Sequence, residues 1–306
     1  MRELKFDLSV AANALLCPNP QEFYSKAYIS ENIVDNFRTL PGIKSATKVA
    51  NVLFDDLLKA SACNFTSGTQ TLDAIDIDVC PLSAMAELCR FDLEQSFISL
   101  QMAAGSNGSF EVPAFMAYYW DEMAKEVSEE IAVLRWAGDT AGAAGNFRDL
   151  CDGYEKKFTA DASIVDVAAT ASITTANVLA EMLSVYSAAP VAIQNNIADL
   201  RFYVSSDIAT AFRFAVASGN TLAYVTKDLD LTFLGIKLVI CEGMSAKKMV
   251  LTLKDNMIYA FDGEGDSKEL KAVNMEDTVA EPLLRTRANL KVGFHYSNPT
   301  DIVYYS

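Results

Sequence analysis

Residues Val112–Gly138, VPAFMAYYWDEMAKEVSEEIAVLRWAG, decide how the rest of the chain can be arranged. Met116, Trp120, Met123, Val127, Ile131 and Leu134 follow one another at steps of four, three, four, four and three. That spacing draws a single apolar stripe along a helix of about 3.6 residues per turn. Asp121, Glu122, Lys125, Glu126, Glu129 and Glu130 fill most of the opposite face. Pro113 suits a first helical position, and Gly138 suits a left-handed residue just past the end. With a rise of about 1.5 Å per residue the segment spans about 39 Å, so other parts must lie against it. The six stripe residues are its expected core, and Phe115, Tyr118, Tyr119 and Trp120 read as core or interface, not as a ligand box.

The 306 residues are enough to bury a sizeable core in one large or two modest domains. A chain that is 51% hydrophobic and 21% charged is not a disordered one. Every apolar run is broken by Asp, Glu, Lys or Arg before the ~18 residues a membrane span requires, so no membrane is expected. MRELKFDLSVAANALLCPNP at the N-terminus mixes acids with its bases around a very short apolar stretch, and reads as mature protein, not a signal peptide. The net charge of −15 argues against a protein that embraces nucleic acid over its whole surface. Lys156–Lys157 and Lys247–Lys248 read as solvated lysines.

Cys17, Cys63, Cys80, Cys89, Cys151 and Cys241 form no CxxC pair, and His295, the single histidine, has no neighbouring ligand in sequence. No zinc or other metal is expected. Six scattered thiols fit a reducing cytoplasm better than a disulfide framework.

Taken in order, residues 1–40 read as an arm that borrows its packing from elsewhere, with a short helix around Ser30–Phe37. Ile43–Leu53 and Leu72–Val79 read as extended, the second (LDAIDIDV) alternating apolar and acidic residues at the strand period. Together they make a long two-stranded excursion too polar to form a core of its own. Pro81–Ala104 reads as a second helix opened by proline, and Gly105–Ser109 as a flexible joint. Beyond the long helix, ASIVDVAA is extended, a helix is expected near Thr174–Ser187, and Leu200–Val204 is a short strand. Ser206 caps a helix that stops at Gly219. Leu229–Cys241 is a strand pair or one kinked strand bent at Gly235. Met249–Leu253 and Met257–Phe261 read as a hairpin around Lys254–Asp255–Asn256. Asp262–Asp266 is an exposed turn, and Leu290–Tyr296 and Asp301–Tyr305 are closing strands. Strands and helices mix without a regular βαβ repeat, so the class is α+β.

Chemistry is sparse. GDTAGAAG at 138–145 follows a helix instead of a strand and lacks the lysine of a phosphate loop. There is no GxSxG, HExxH or kinase signature. Adjacent acids such as Glu129–Glu130 and Asp55–Asp56 point in different directions and read as solvated faces. DGEGD lacks the later glutamate of a calcium loop. His295, between Phe294 and Tyr296, reads as a strand residue. No catalytic, cofactor-binding or metal residue is nominated.

In layout the chain resembles the major capsid proteins of tailed bacteriophages, the Hong Kong 97-type fold. The resemblance is carried by DVCPLSAMAELCR with FDLEQSF, the helix VPAFMAYYWDEMAKEVSEEIAVLRWAGD and NFRDLCDGYEKKF. It continues through LRFYVSSDIATAFRFAVA, LTFLGIKLVICEGM, MVLTLKDNMIYAFDG and KVGFHYSNPTDIVYY. It implies an N-terminal arm at 1–40, an extended E-loop at 41–80 and a P-domain at 81–165 with spine helix 112–138. An A-domain at 166–279 and closing P-domain strands at 280–306 complete it. The implied protein is not an enzyme. It self-assembles through pentameric and hexameric capsomers into an icosahedral shell around double-stranded DNA, which it encloses without sequence-specific binding. Its place is the virion, assembled in the bacterial host cytoplasm. The short arm implies a separate scaffolding protein, beside a portal and possible decoration proteins. Lys44, Lys48, Lys59 and Phe65 in the loop are the candidates for contact between subunits. No partner asparagine for a covalent crosslink is identified. The competing expectations are an encapsulin-like nanocompartment shell, and a cytosolic α+β enzyme with an unrecognised acidic site.

Overall fold

The computed structural model describes residues 17, 19–29, 35–61, 67–89, 113–142, 145–169, 172–219, 231–262 and 270–306. In chain order the elements are α1 (Pro20–Tyr28), β1 (Arg38–Pro41), β2 (Thr47–Asp55), β3 (Thr69–Ile77), β4 (Cys80–Cys89) and α2 (Pro113–Ala137). Next come α3 (Tyr154–Ala160), β5 (Val165–Val167), α4 (Val178–Ala188), α5 (Val191–Gln194), β6 (Leu200–Val204) and α6 (Ser206–Gly219). The remainder is β7 (Thr232–Phe233), β8 (Ile236–Ile240), β9 (Met249–Leu253), β10 (Met257–Phe261), β11 (Leu270–Asn274), α7 (Glu276–Val279), β12 (Leu283–Tyr296) and β13 (Val303–Tyr305). The described residues fall into two compact units with interleaved segments. One takes those within 1–30, 81–131 and 262–291; the other takes 31–80, 132–261 and 292–306.

The first unit is a helix layer on a sheet layer. Along α2, Met116, Trp120, Ala124, Val127 and Ile131 are buried and Met123 is half-buried, while Glu122, Lys125, Glu126, Glu129 and Glu130 are exposed. The buried side meets β12: the Tyr119 and Thr286 hydroxyls are 2.8 Å apart, and Thr286 Oγ1 lies 4.0 Å from Met123 Sδ. Over this stretch β12 pairs antiparallel with β11, Leu270 opposite Ala288 and Asn274 opposite Leu284, and it also pairs with β4. Leu284, Thr286, Ala288 and Leu290 point inward, whereas Arg285 and Arg287 point out, the two-residue period of a half-buried strand.

Two expectations are corrected in this unit. The arm does not borrow all of its packing, because α1 folds onto its own chain. Pro20 occupies its first turn, the Asn19 side chain accepts the Glu22 N–H, and Phe23, Tyr24, Ala27 and Tyr28 form one buried face. Phe23 meets Trp120 edge to face at 5.6 Å, and Lys291 N–H donates to the Tyr28 hydroxyl at 3.0 Å. Of the expected helix at Ser30–Phe37, Asp35 and Asn36 are helical and 30–34 lie outside the described residues. Secondly, the segment opening at Pro81 is not a helix as far as Cys89 but the strand β4. Its Leu, Ala, Met and Glu favour helix individually, yet Leu82 and Ala84 alternate with exposed neighbours, and pairing with β12 overrides propensity. Residues 90–104 lie outside the described set, as does the Gly105–Ser109 joint.

The second unit holds a six-stranded sheet in the order β5-β13-β9-β6-β8-β7. β6 and β8 are parallel and are joined through α6, while β9 runs antiparallel to β6. Val178, Met182 and Val185 of α4 and Ile208 and Phe212 of α6 form one core with Leu200, Phe202, Leu238 and Leu251 of the sheet. A second cluster gathers the rings of Phe37, Trp136, Tyr154, Tyr203, Tyr259 and Phe294 around the last turn of α2. β1 and the end of β12 flank β10, with Arg38 opposite Ile258 and Tyr296 opposite Met257.

The expected hairpin at 254–256 is corrected as well. β9 and β10 have the expected bounds but enter different sheets. Asn256 is the cause: its buried side chain donates to Thr252 Oγ1 and to the Asn298 carbonyl, each at 2.9 Å. It also accepts from the Ser297 and Asn298 N–H groups, so the chain turns a corner instead of folding back. β10 and β11, within the expected 166–279 lobe, both pair with β12. The expected closing strands part company, because β13 joins β5 and β9 in the six-stranded sheet. Asp262, expected in an exposed turn, is buried with its N–H donating to the Lys291 carbonyl; 263–269 lie outside the described residues.

Gly138 also serves differently from its expected role. It is absent from the left-handed backbone positions, but a Cβ there would collide with the Cys151 carbonyl oxygen and meet that of Leu134 at 2.5 Å. The position needs close approach of two backbones, not a positive φ.

Candidate inter-subunit surfaces

β2 and β3 form a two-stranded ribbon in continuous antiparallel register, from Thr47 opposite Ile77 to Asp55 opposite Thr69. At its root one face is apolar and covered: Val49, Ile75 and Ile77 pack with Leu40, Ile43, Ile258 and Ala260. Farther out the other face carries Val52 and Leu72 directly opposite each other, 41% and 70% exposed, with Phe54 beside them. Leu58 at the tip is 95% exposed. Among the described residues the ribbon has no third strand and no layer over Val52, Phe54 and Leu72. An isolated two-stranded ribbon is marginally stable in water, and grouped uncovered apolar side chains mark an interaction surface.

The roots of the ribbon are held firmly. On one side β1 pairs parallel with β10, and the Ile43 N–H donates to the Phe261 carbonyl at 3.2 Å. On the other, Ile77 is fully buried, and the Asp78 carbonyl oxygen sits 2.5 Å from where a Cβ on Gly293 would be. Just beyond, Cys80 is disulfide-bonded to Cys151, with the Cα atoms 5.9 Å apart. This corrects the expectation that the cysteines stand as scattered thiols. The two are 71 residues apart in sequence, and only the fold brings the start of β4 to the turn after α2.

A second surface is the outer face of the β4–β12–β11 sheet. Lys271, Arg285 and Arg287 gather there with exposed Met85 and Val273. Arg285 Nε lies 2.6 Å from Glu87 Oε2, which raises the guanidinium pKa further. Arg287 donates to Asn289 Oδ1 at 2.9 Å and to Ser83 Oγ at 3.4 Å. A third surface is the acidic face of α2, where Glu122, Glu126 and Glu130 recur every four residues. Burial and the neighbouring Glu126 both raise the Glu130 pKa.

Of the loop residues nominated from sequence, Lys44 is exposed, Lys48 is exposed and paired with Asp76 across the ribbon at 3.3 Å, and Lys59 pairs with Asp56 near the tip. Phe65 lies outside the described residues. Of the helix residues, Met116, Trp120, Val127, Ile131 and Leu134 are buried, with Met123 half-buried. The charge of the lysines is plain in the sequence, whereas the exposed face of Val52, Phe54 and Leu72 depends on the fold. The alternation around them was legible, but which face lacked a cover was not.

Among the described residues no group of three or more His, Cys, Asp and Glu side chains could hold a metal ion, and no helix is long and apolar enough to cross a membrane. His295 sits beside Lys157, Asp78 and Asp161, its Nδ1 engaged with the backbone of Tyr296; burial pushes its pKa below the usual value.

No protein-family profile and no curated protein matches the chain. Solved structures do. Over 94% of this chain and 90% of its counterpart, it is similar to a chain of the satellite phage P4 procapsid that includes the size determination (Sid) protein, with TM-score 0.62 and 11% identity. A chain from Mycobacterium phage Ogopogo gives TM-score 0.56 at 11% identity over 89% of this chain and 90% of that one. The capsid of a native GTA particle gives 0.54 at 16% identity over 92% and 90%. At such identities the likeness concerns the fold, and it runs nearly end to end: the chain has the Hong Kong 97-type fold of tailed-phage capsid proteins.

Proposed function

We propose that this chain is the major capsid protein of a tailed phage, many copies of which assemble through capsomers into an icosahedral shell around double-stranded DNA. The observation that carries this is the β2–β3 ribbon, fully registered and firmly rooted, yet bearing Val52, Phe54 and Leu72 uncovered. A monomer gains nothing from that surface; a second copy laid against it does. The fold shared with capsid chains supports the same reading.

In this reading α2 is the spine helix, residues 41–80 the E-loop and α1 a part of the N-terminal arm. The six-stranded sheet with α4 and α6 is the A-domain, and β4, β11 and β12 with α2 make the P-domain. The E-loop carries Asp55, Asp56, Asp73, Asp76 and Asp78 against Lys44, Lys48 and Lys59, an acidic balance. The sheet face of Lys271, Arg285 and Arg287 against Glu87 is basic. We assign the loop of one copy to that face of the next. Its role is structural and its place the virion. The net charge of −15 suits a wall that encloses DNA without gripping it.

Electron microscopy of the purified chain, alone and co-expressed with the genes beside its own, tests the proposal. Closed shells or capsomers are expected. A stable monomer under all of these conditions would count decisively against it.

A further inference from the structure

We propose that Cys80 and Cys151 form a redox latch, open under reducing conditions and closed under oxidising ones, that fastens the root of the ribbon to the end of α2. Both cysteines hang from backbone already held without the bond. On the ribbon side Ile77 is fully buried, and the Asp78 carbonyl is fitted against Gly293. On the helix side Cys151 lies between two close backbone approaches. The Cys151 carbonyl faces Gly138, whose N–H closes the last turn of α2 onto Leu134 O at 3.1 Å. Gly153 N–H donates to Gly138 O at 2.9 Å, and a Cβ on Gly153 would lie 2.6 Å from Trp136 O. The reduced pair therefore stays in register for bonding, and closure needs no rearrangement. The bond is an addition to a finished fold, not a condition for it.

Of the other described thiols, Cys89 is half-buried at the end of β4, and two do not compete. Cys241 is buried, and desolvation pushes its pKa up to about 12; Cys17 is raised by burial too, and a protonated thiol is a poor nucleophile. Cys80 is half-buried while Cys151 is buried, which sets the order of events. The Cys80 thiolate attacks one sulfur of a small-molecule disulfide and expels one small thiolate. The Cys151 thiolate then attacks the Cys80 sulfur and expels the second. Two electrons pass to the small disulfide, and the two protons given up by the cysteines end on two small thiols. Resting on the shell reading, the open latch leaves the ribbon root held by noncovalent contacts alone while copies come together in a reducing cytoplasm. It sets the root once the particle meets oxidising surroundings.

The test uses wild-type chain purified in reductant and then treated with oxidised glutathione. After denaturation and alkylation, mass spectrometry should find two fewer alkylated thiols and a linked Cys80–Cys151 peptide, both reversed by dithiothreitol. Amide hydrogen exchange over 69–80 should slow by about tenfold or more on oxidation. It should not respond to oxidant in Cys151→Ser. Absence of the linked peptide, or equal exchange in both states of the wild type, overturns the latch. Because the wild type is its own control through reduction, a poorly folding serine variant does not blunt the result. Shell formation is scored separately by microscopy. Linkage with slowed exchange but no shells in either state supports the latch and sinks the shell reading; shells without linkage sink the latch alone.

Discussion

Lys271 and Arg287 stand directly opposite each other across the β11–β12 ladder, both exposed. Among the described residues neither has a carboxylate within ion-pair distance. Like charges in that position oppose strand pairing by a few tenths of a kcal/mol up to about 1 kcal/mol. Lys271→Glu should therefore stabilise the isolated subunit by about 0.2–1 kcal/mol in urea unfolding. The same change should lower shell yield in sedimentation, because the proposed acidic loop of the next copy would meet a weaker cation row. A variant that is stabler and assembles as well as wild type would remove this face from the interface.

Leu72 makes the complementary case on the ribbon. It is largely exposed, so Leu72→Asp should leave subunit stability within about 0.5 kcal/mol of wild type. Placed opposite Val52, the new carboxylate would stand in the middle of the uncovered apolar face. Assembly should fall sharply, as seen by electron microscopy. Shells in normal yield would mean that Val52, Phe54 and Leu72 stay in water.

Arg135 is 5% exposed in the last turn of α2, its guanidinium 5.3 Å from the Phe37 ring centroid and 5.8 Å from that of Tyr259. Among the described residues its Nε and Nη1 have no hydrogen-bond partner. A buried charge held by rings alone is replaceable by an apolar side chain of similar length. Arg135→Met should leave stability unchanged or raise it by about 1–4 kcal/mol, whereas Arg135→Ala should cost about 2–5 kcal/mol through the cavity. Urea midpoints that fall equally in both variants would show that the charge itself matters.

His295 supplies a pH dependence. Burial, with Lys157 beside it, lowers its pKa from the ordinary 6.5, outweighing the opposing pull of the Tyr296 backbone, Asp78 and Asp161. The unfolded chain then binds the proton more readily than the folded one. Stability is complete above pH 6.5 and declines as pH falls below it. Asp161 acts in the same direction but lower, since hydrogen bonds from the Ser163 backbone and Tyr296 hold its pKa below 3.8. Thermal midpoints measured from pH 7.5 to about 5 should thus drop more for wild type than for His295→Gln. Parallel curves would rule His295 out as the source.

The long helix was legible because its stripe is periodic for its whole length, and the burial of Met116, Trp120, Val127, Ile131 and Leu134 follows that stripe. β6, β9 and β10 were legible for the same kind of reason: short, dense apolar runs bounded by polar turns. What the pattern could not carry was partnership. Nothing local in PLSAMAELC tells that β12 will claim it as a strand, nor in KDN that Asn256 will bond to Asn298 and send its two flanking strands apart. Cys80 and Cys151 are invisible as a pair for that reason. The uncovered face of the ribbon is a further step removed, because exposure depends on what is not there to cover it.

Each compact unit is assembled from three separated stretches of chain, changing over near residues 30, 80, 131, 261 and 291. No single cut yields either unit whole. A crossover between two related genes, wherever it fell inside this reading frame, would join residues of one ancestry to packing partners of another in at least one unit. Such a gene is expected to be inherited as a block, its diversity accumulating by substitution and loop insertion and not by exchange of domains.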